Sequence, residues 1–494
     1  MNILILNYEY PPIGSGGGII SKYIAEGLAA RQHSVTVLTA HYKGLDKEEN
    51  FARLRIIRLP SKRKNAHRSN PFEMISWIVH CKRFLPQLFS KEKFDVCLAN
   101  FALPGGEVAL YAKRKFHLPY YVISHGHDIP WVKPYLPLLP LHFLSYLRIK
   151  RICKESVVNL VQTAEMKLNL DRFLGAENSA KNKIIPNGCN VMEPGAEAIR
   201  NNEAFNIIFV GRLVKQKDPV TFLKAVKIFA QTNSNFKVSI YGEGPLRKKL
   251  EIYISKAKLQ DKITLFGRVD KEEMTSHYRT ADVMVVSSVS EGMSLSALEA
   301  AASGVYLITT EVSGAVELIL NQVNGEYFST GNPLELAAAL TRYYKEKFKI
   351  NYSIPKELTE RLRKLFSWDV IVDEYAKELK FNLDGLNKKI KVLHLIDTLW
   401  LGGAQTLVKG IVENRQPSDE YHLFALRKTQ PSVKVDHKNV RIYNSGSRYN
   451  PLPLFALAKL IKQKNIGVLH CHLPRSHVFG YILKRFYFPH IKLI

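Results

Sequence analysis

The sequence predicts an α/β protein of doubly wound parallel sheets, and three observations lead there. Short apolar or β-branched runs alternate with amphipathic helical patterns along the chain. A glycine-rich turn follows the first such run directly, and the same grammar restarts at Asn206 and again at Lys391. At 494 residues the chain exceeds what one core usually holds. The restarts are therefore read as domain starts, giving residues 1–190, 191–383 and 388–494.

In the first region the strand-like runs are Ile3–Asn7, Ser34–Thr39, Val96–Ala99 and Tyr121–Ser124. A helix over about Gly18–Arg31 carries Ile20, Ile24, Ala25 and Leu28 on one stripe. The polar stretch from Pro194 to Ala204 reads as a hinge. In the second region the runs are Ile207–Val210, Lys237–Tyr241, Ile263–Phe266, Val283–Ser287 and Tyr306–Thr309, with a closing helix over 355–381. After a polar break at Asn382–Lys389, Lys391–Ile396 restarts the pattern and Gly402-Gly403 supplies a second glycine turn. This third region is an internal repeat of the first. It aligns Val96–Pro119 with Val468–Pro489, so Ile494 falls opposite Ser124, and the sequence reads as a copy that stops before a counterpart of His125.

Composition narrows the function. Apolar content of 46% and charged content of 23% suit a water-soluble globular protein. Five scattered cysteines with no CxxC pair argue for a reducing compartment and against a structural zinc site or a disulfide framework. The chain opens on Ile3-Leu4-Ile5-Leu6 rather than on a basic, apolar leader, and Pro134–Leu147 is too short to span a membrane. A cytoplasmic location is expected. Of the net charge of +27, +12 falls on residues 1–195, +2 on 196–387 and +13 on 388–494. Such basic ends suit a phosphorylated acceptor, an anionic membrane surface or nucleic acid, and equally a solvated face. No aromatic platform or recognised module supports nucleic acid. Membrane docking would use Arg58, Lys62, Arg63, Lys64, Arg68, Phe72, Trp77 and Ile78, with the apolar segment Trp131–Leu147.

Four constellations carry chemistry. Pro11-Pro12-Ile13-Gly14-Ser15-Gly16-Gly17-Gly18 lies between a strand and a helix, where small residues and helix amides suit a diphosphate. Ser124-His125-Gly126-His127-Asp128 ends a strand, the usual ligand position in open α/β sheets. Val210-Gly211-Arg212-Leu213 with Lys217 puts two cations on a βα loop, able to neutralise a leaving diphosphate. Glu291-Gly292-Met293-Ser294-Leu295-Ser296-Ala297-Leu298-Glu299 offers backbone amides between two glutamates at a strand-to-helix junction. Helix capping explains one of those glutamates, but not the small-residue loop between them.

The Glu291/Glu299 spacing resembles the E-x7-E motif of glycosyltransferase family 4, with its GT-B fold. So do the glycine turn, His125-Gly126, Pro186-Asn187-Gly188, Arg212 with Lys217, and Tyr241-Gly242-Glu243-Gly244-Pro245-Leu246. Gly314 with Glu317, Asn324-Gly325 and Phe366-Ser367-Trp368 complete the resemblance over about residues 1–381. Tyr306 stands where the family often has proline, and Ala302 where methionine is frequent.

The resemblance implies two Rossmann-like domains facing a cleft, with a partial third appended. It implies a retaining, metal-independent transferase using a nucleotide-diphosphate-sugar as co-substrate and no other cofactor. Glu299 would hold the ribose, Glu291 with Gly292, Met293, Ser294 and Leu295 the sugar, and Arg212 with Lys217 the diphosphate. Gly16, Gly17, Gly18 and Gly211 would let the donor approach, and His125 would reach the sugar from the first domain. The acceptor expected is a glycan or lipid-linked intermediate of cell-surface polysaccharide or lipopolysaccharide synthesis, met peripherally on the inner membrane face. A non-catalytic sugar-nucleotide-binding or scaffold protein of the same fold is the alternative. A nicotinamide oxidoreductase is not, because the GxGxxG turn with its following acid is missing. The region 388–494 has no E-x7-E and no Arg/Lys pair, so it is expected not to catalyse alone.

Overall fold

The computed structural model describes residues 1–66, 69–126, 128–130, 139–190, 204–312, 314–350, 352–386, 391–400, 402–413, 420–428, 435, 439–443, 450, 452–464, 466–489 and 491–494. Arg68, His127, the segment 131–138 and all but Ala204 of the polar hinge lie outside them.

The first sheet is built from runs that are apolar on both faces, as parallel strands between helix layers must be. Its strands are β1 (Asn2–Leu6), β2 (Ser34–Ala40), β3 (Glu48–Asn50), β4 (Leu54–Leu59), β5 (Val96–Asn100), β6 (Tyr120–Ile123), β7 (Val158–Val161) and β8 (Asn182–Ile184). They lie in the order β3-β4-β2-β1-β5-β6-β7-β8, all parallel except β3 against β4. The winding reverses between β1 and β5. The loops leaving their C-terminal ends are therefore where a ligand crevice forms.

The second sheet comprises β9 (Phe205–Val210), β10 (Phe236–Tyr241), β11 (Ile263–Gly267), β12 (Val283–Val286), β13 (Tyr306–Thr310) and β14 (Gly325–Phe328). Its order, β11-β10-β9-β12-β13-β14, reverses between β9 and β12. Tyr306 opens β13 fully buried, stacked on Tyr343 at 3.8 Å. Beneath the turn after β9, an added Cβ on Gly242 would sit 1.9 Å from the Gly211 carbonyl oxygen, and one on Gly244 would sit 2.4 Å from that of Leu213. Only glycines let the loops after β9 and β10 stack backbone on backbone.

The sequence-predicted helix over 355–381 is two helices, Lys356–Leu365 and Trp368–Leu386. At the break, the Phe366 carbonyl accepts from the Cys189 amide at 2.6 Å, and the Trp368 amide donates back to Cys189 at 3.3 Å. The second helix returns to the first domain. Trp368 stacks on Tyr23 at 4.6 Å, Val372 fills the space over Gly27, Arg31 pairs with Asp373 at 2.5 Å, and Lys183 with Glu378 at 2.7 Å.

Three members of the basic-aromatic surface expected from sequence are interior. Arg58 is 3% exposed, pairing with Glu49 at 2.6 Å, because β3 turns its acids onto β4. Arg63 lies over the Tyr8 ring at 4.8 Å and donates to the Asn65 and Ala66 carbonyls. Trp77 is wholly buried against Tyr8. No described helix is long and apolar enough to cross a membrane.

The chain divides into two compact units, Met1–Lys380 and Phe381–Ile494. The second holds β15 (Lys391–Thr398), β16 (Glu420–Arg427), β17 (Val440–Ile442), β18 (Val468–His472) and β19 (Lys492–Leu493). Their order is β17-β16-β15-β18-β19, all parallel. That repeats the winding of β4-β2-β1-β5-β6.

Since the first unit closes its own cores, deletion of residues 387–494 should leave one cooperative melt and, if the transfer activity that the resemblance implies is present, leave it undiminished. Loss of activity with folding intact would show that the tail supplies part of the working site.

Candidate active site

Both switch points open into one cleft of about 750 Å³ inside the first unit. It is lined by every site residue expected from sequence except Gly18. Gly18 serves the turn itself, since a Cβ there would lie 3.0 Å from the Glu9 carbonyl oxygen. The turn is held from within: the Glu9 carboxylate accepts from the Ser15 amide at 3.2 Å, and Asn7 Oδ1 accepts from the Glu9 amide at 3.0 Å. Gly16, the first residue of the helix Gly16–Ala30, has open space where a Cβ would be. Gly17 is needed because a Cβ would meet the Phe101 ring at 2.6 Å.

His125 stands on the loop after β6 and is fixed from two sides. Asp128 accepts from the His125 amide at 3.0 Å and from Ser124 Oγ at 2.8 Å, and its other oxygen accepts from the Ala102 amide at 2.9 Å. His125 Nε2 meets Asn100 Oδ1 at 2.9 Å. A carboxamide oxygen only accepts, so the neutral ring carries its proton on Nε2 and leaves Nδ1 as an acceptor. Nδ1 is buried without a described partner. Burial pulls the His125 pKa down to about 4, against the opposing pull of Asp128.

Across the cleft, Lys217 Nζ pairs with Glu291 Oε1 at 2.5 Å, both side chains mostly buried. Ser288 Oγ donates to the same oxygen at 2.6 Å. Ser287 Oγ donates to the Lys217 and Asp218 carbonyls and pins the loop that carries the lysine. The sequence reading gave Lys217 and Glu291 separate tasks, whereas in the structure they hold one another. Arg212 is exposed on the same turn and pairs with no acid among the described residues. The amides of Gly292 and Met293 donate to no described residue. Ser294 caps the helix Leu295–Ala302, whose first amides lack partners by geometry. Glu299, one turn in, accepts from Tyr278 OH at 3.3 Å. Burial and this carboxylate raise the Tyr278 pKa well above that of a free phenol.

Sequence reasoning missed Asn100 and Tyr278 as neighbours of the site, and it gave Asp128, although within the His125 constellation, no role. Asn100 had a signal, a polar residue closing an apolar strand. Tyr278 had none.

The two walls touch. A Cβ on Gly292 would lie 2.9 Å from the His125 carbonyl oxygen, and one on Gly126 (φ +111°) 3.4 Å from the Gly292 Cα. Behind them Gly314 (φ +83°) leaves room for the Gly292 carbonyl and Met293 Cα, each 2.9 Å from where its Cβ would stand. Asn187 of the first domain donates to the Met293 carbonyl at 2.9 Å, and the Ala164 amide to Glu317 at 2.8 Å.

Two doubly wound domains meeting switch point to switch point, with a cation-bearing turn on one wall, define a glycosyltransferase of the GT-B class. Residues 196–364 match the model of the group 1 glycosyl transferases, and residues 14–193 match that of glycosyltransferase family 4. The chain belongs to this family. An uncharacterized glycosyltransferase of Methanocaldococcus jannaschii is 26% identical over 417 residues, covering 78% of this chain and 100% of that protein. Among solved structures, sucrose-phosphate synthase from Thermosynechococcus elongatus is similar with a TM-score of 0.68 and 19% identity, covering 78% of this chain and 99% of that one. Anabaena HepE in complex with UDP and glucose is similar with a TM-score of 0.58 and 16% identity, covering 77% of this chain and 100% of that one.

His125 should remain neutral well below the ordinary histidine range. Its folded pKa lies below the unfolded value near 6.5, so the unfolded chain takes up more protons between the two. Its contribution to stability is complete above about pH 6.5 and declines as pH falls towards 4. Histidine ring NMR through pH 5 checks this, and a titration midpoint for His125 near 6.5 would contradict the buried, neutral assignment.

Proposed function

We propose that the protein transfers a sugar, with retention of configuration, from a nucleotide-diphosphate-sugar to a lipid-linked or polysaccharide acceptor of cell-surface glycan synthesis. The observation that carries this is the joint placement of Arg212, Lys217, Glu291 and the amides of Gly292 and Met293, which donate to no described residue, opposite a neutral His125. Glu299 would take the ribose hydroxyls, with Tyr278 steering its carboxylate. Glu291 and the amides after it would take the sugar hydroxyls. Negative charge grows on the diphosphate as the glycosidic bond breaks, so Arg212 and Lys217 favour the transition state over the ground state. Two cations on one turn are the basis for proposing transfer without a metal. A diphosphate entering the cleft would compete with Glu291 for Lys217 and release the carboxylate to the sugar. The UDP and glucose bound by HepE are the kind of donor components this cleft would take. A non-catalytic binder would have no use for His125, Arg212, Lys217 and Glu291 together.

Release of free nucleotide from a panel of nucleotide-sugars identifies the donor. With it, Glu291→Ala and Lys217→Ala should each lower kcat about 10²–10³-fold. The double variant should be scarcely worse than the poorer single one, because removing either partner strands the other. Near-wild-type turnover in both single variants would overturn the assignment.

The acceptor reading draws on the first domain's surface. On the helix Leu139–Glu155, Phe143, Leu144 and Leu147 are each about four-fifths exposed, while Ile149 and Ile152 turn into the core. Lys150 follows on the same helix, with Arg148 and Arg151, which pair with Glu107 and Glu155. Phe72 adds a further exposed ring on the helix Pro71–Lys91. An apolar patch beside cations suits a surface that meets anionic lipid. The protein should co-sediment with vesicles of acidic phospholipid at low salt, less so at high salt, and Phe143→Asp with Leu147→Asp should abolish it. No binding at low salt would sink the membrane reading.

A further inference from the structure

The tail holds a cluster that sugar transfer does not use. β15 and β18 are parallel neighbours in which His394 lies opposite His470, and Ile396 opposite His472. Side chains two residues apart share a sheet face, so the three imidazoles stand together, with ring centroids 4.2–5.3 Å apart. The other face of these strands is an ordinary apolar core of Leu393, Leu395, Leu469 and Cys471. Sheet packing does not ask for the cluster. With Val96 aligned to Val468, the matching positions of the first sheet are Ile5, Leu98 and Asn100.

We propose that His394, His470 and His472 form a binding site for one divalent transition-metal ion of the zinc class. One ring nitrogen from each residue lies within 4.8 Å of the others, the one group of three metal-ligating side chains among the described residues. His394 Nδ1 and His472 Nε2 are 3.0 Å apart, near the roughly 3.3 Å that two nitrogens 2.0–2.1 Å from a tetrahedral zinc would have. His394 is 2% exposed, and its Nε2 is buried without a partner among the described residues. Hydrogen bonding within the cluster therefore leaves polar capacity unused. Three nitrogen donors without a thiolate or carboxylate suit zinc, nickel or copper rather than magnesium or calcium. They leave a fourth position for water. The ion would tie together two strands whose histidines are 78 residues apart in the chain.

The test uses the full-length chain without a histidine tag, stripped with chelator and titrated with zinc chloride. The expected result is one tightly bound zinc per chain and a higher melting temperature for the tail. His470→Gln combined with His472→Gln should bind at least about 100-fold more weakly, beyond what loss of a mere supporting contact costs, and should show no zinc-dependent rise. Far-UV circular dichroism of the zinc-free variant checks that it folds. If the variant is unfolded, zinc is titrated into His472→Gln alone, with the same expectation. Absence of tight zinc in the wild-type protein, or equal uptake by a folded variant, overturns the site.

Discussion

The backbone of Gly292 lies so close to the His125 carbonyl that no side chain fits between them, and the cleft depends on that contact. His125 follows a strand of the first domain, and Gly292 follows one of the second. Their approach brings both switch points to one place. Gly126 clears the same gap from the other side, and Gly314 clears it from behind. A methyl group on Gly292 would push the walls apart, one on Gly314 would displace Gly292 and Met293, and at Gly126 the left-handed backbone itself disfavours a side chain. Geometry on that scale decides whether bound groups react.

The electrostatics follow from the same closeness. Bringing the walls together half-buries His125 and shields its Nδ1 from water, which favours the neutral ring. The imidazole then presents a lone pair on Nδ1 rather than a charge. On the opposite wall the lysine and glutamate are also largely withdrawn from water, and an isolated charge there would be costly. They satisfy each other. Arg212, exposed on the same turn, needs no such partner.

Most of this was legible where chemistry and chain order coincide. Strands ending in glycine turns, such as Ile207–Val210 before Gly211, stood out because the apolar run and the break are adjacent. β4 did not, because Arg55 and Arg58 interrupt its pattern, and only β3 and its acids make those arginines tolerable. β7 and β8 are too short to carry a period. The helix break at Phe366-Ser367 was hidden because its cause, Cys189, lies far away in the chain. Likewise Glu291 and Lys217 were each identified, but their pairing is a matter of distance that spacing cannot give. Gly18 looked like its neighbours Gly16 and Gly17, and only the fold shows that it serves the turn rather than the cleft. The tail histidines looked like ordinary strand residues, since His394 meets His470 and His472 only through the pairing of β15 with β18.

The central claim is that the cleft between the first two domains is a nucleotide-diphosphate site organised by Glu299 and the cation-bearing turn. Calorimetric titration of the full chain with UDP, ADP and GDP tests it without knowledge of the sugar or the acceptor. The account predicts saturable binding of at least one of them at one site per chain. That binding should weaken at least about tenfold in Glu299→Ala and in Arg212→Ala, the usual scale for loss of a charge-assisted contact. A folded wild-type protein that binds none of the three, or binds one equally well in both variants, would contradict it.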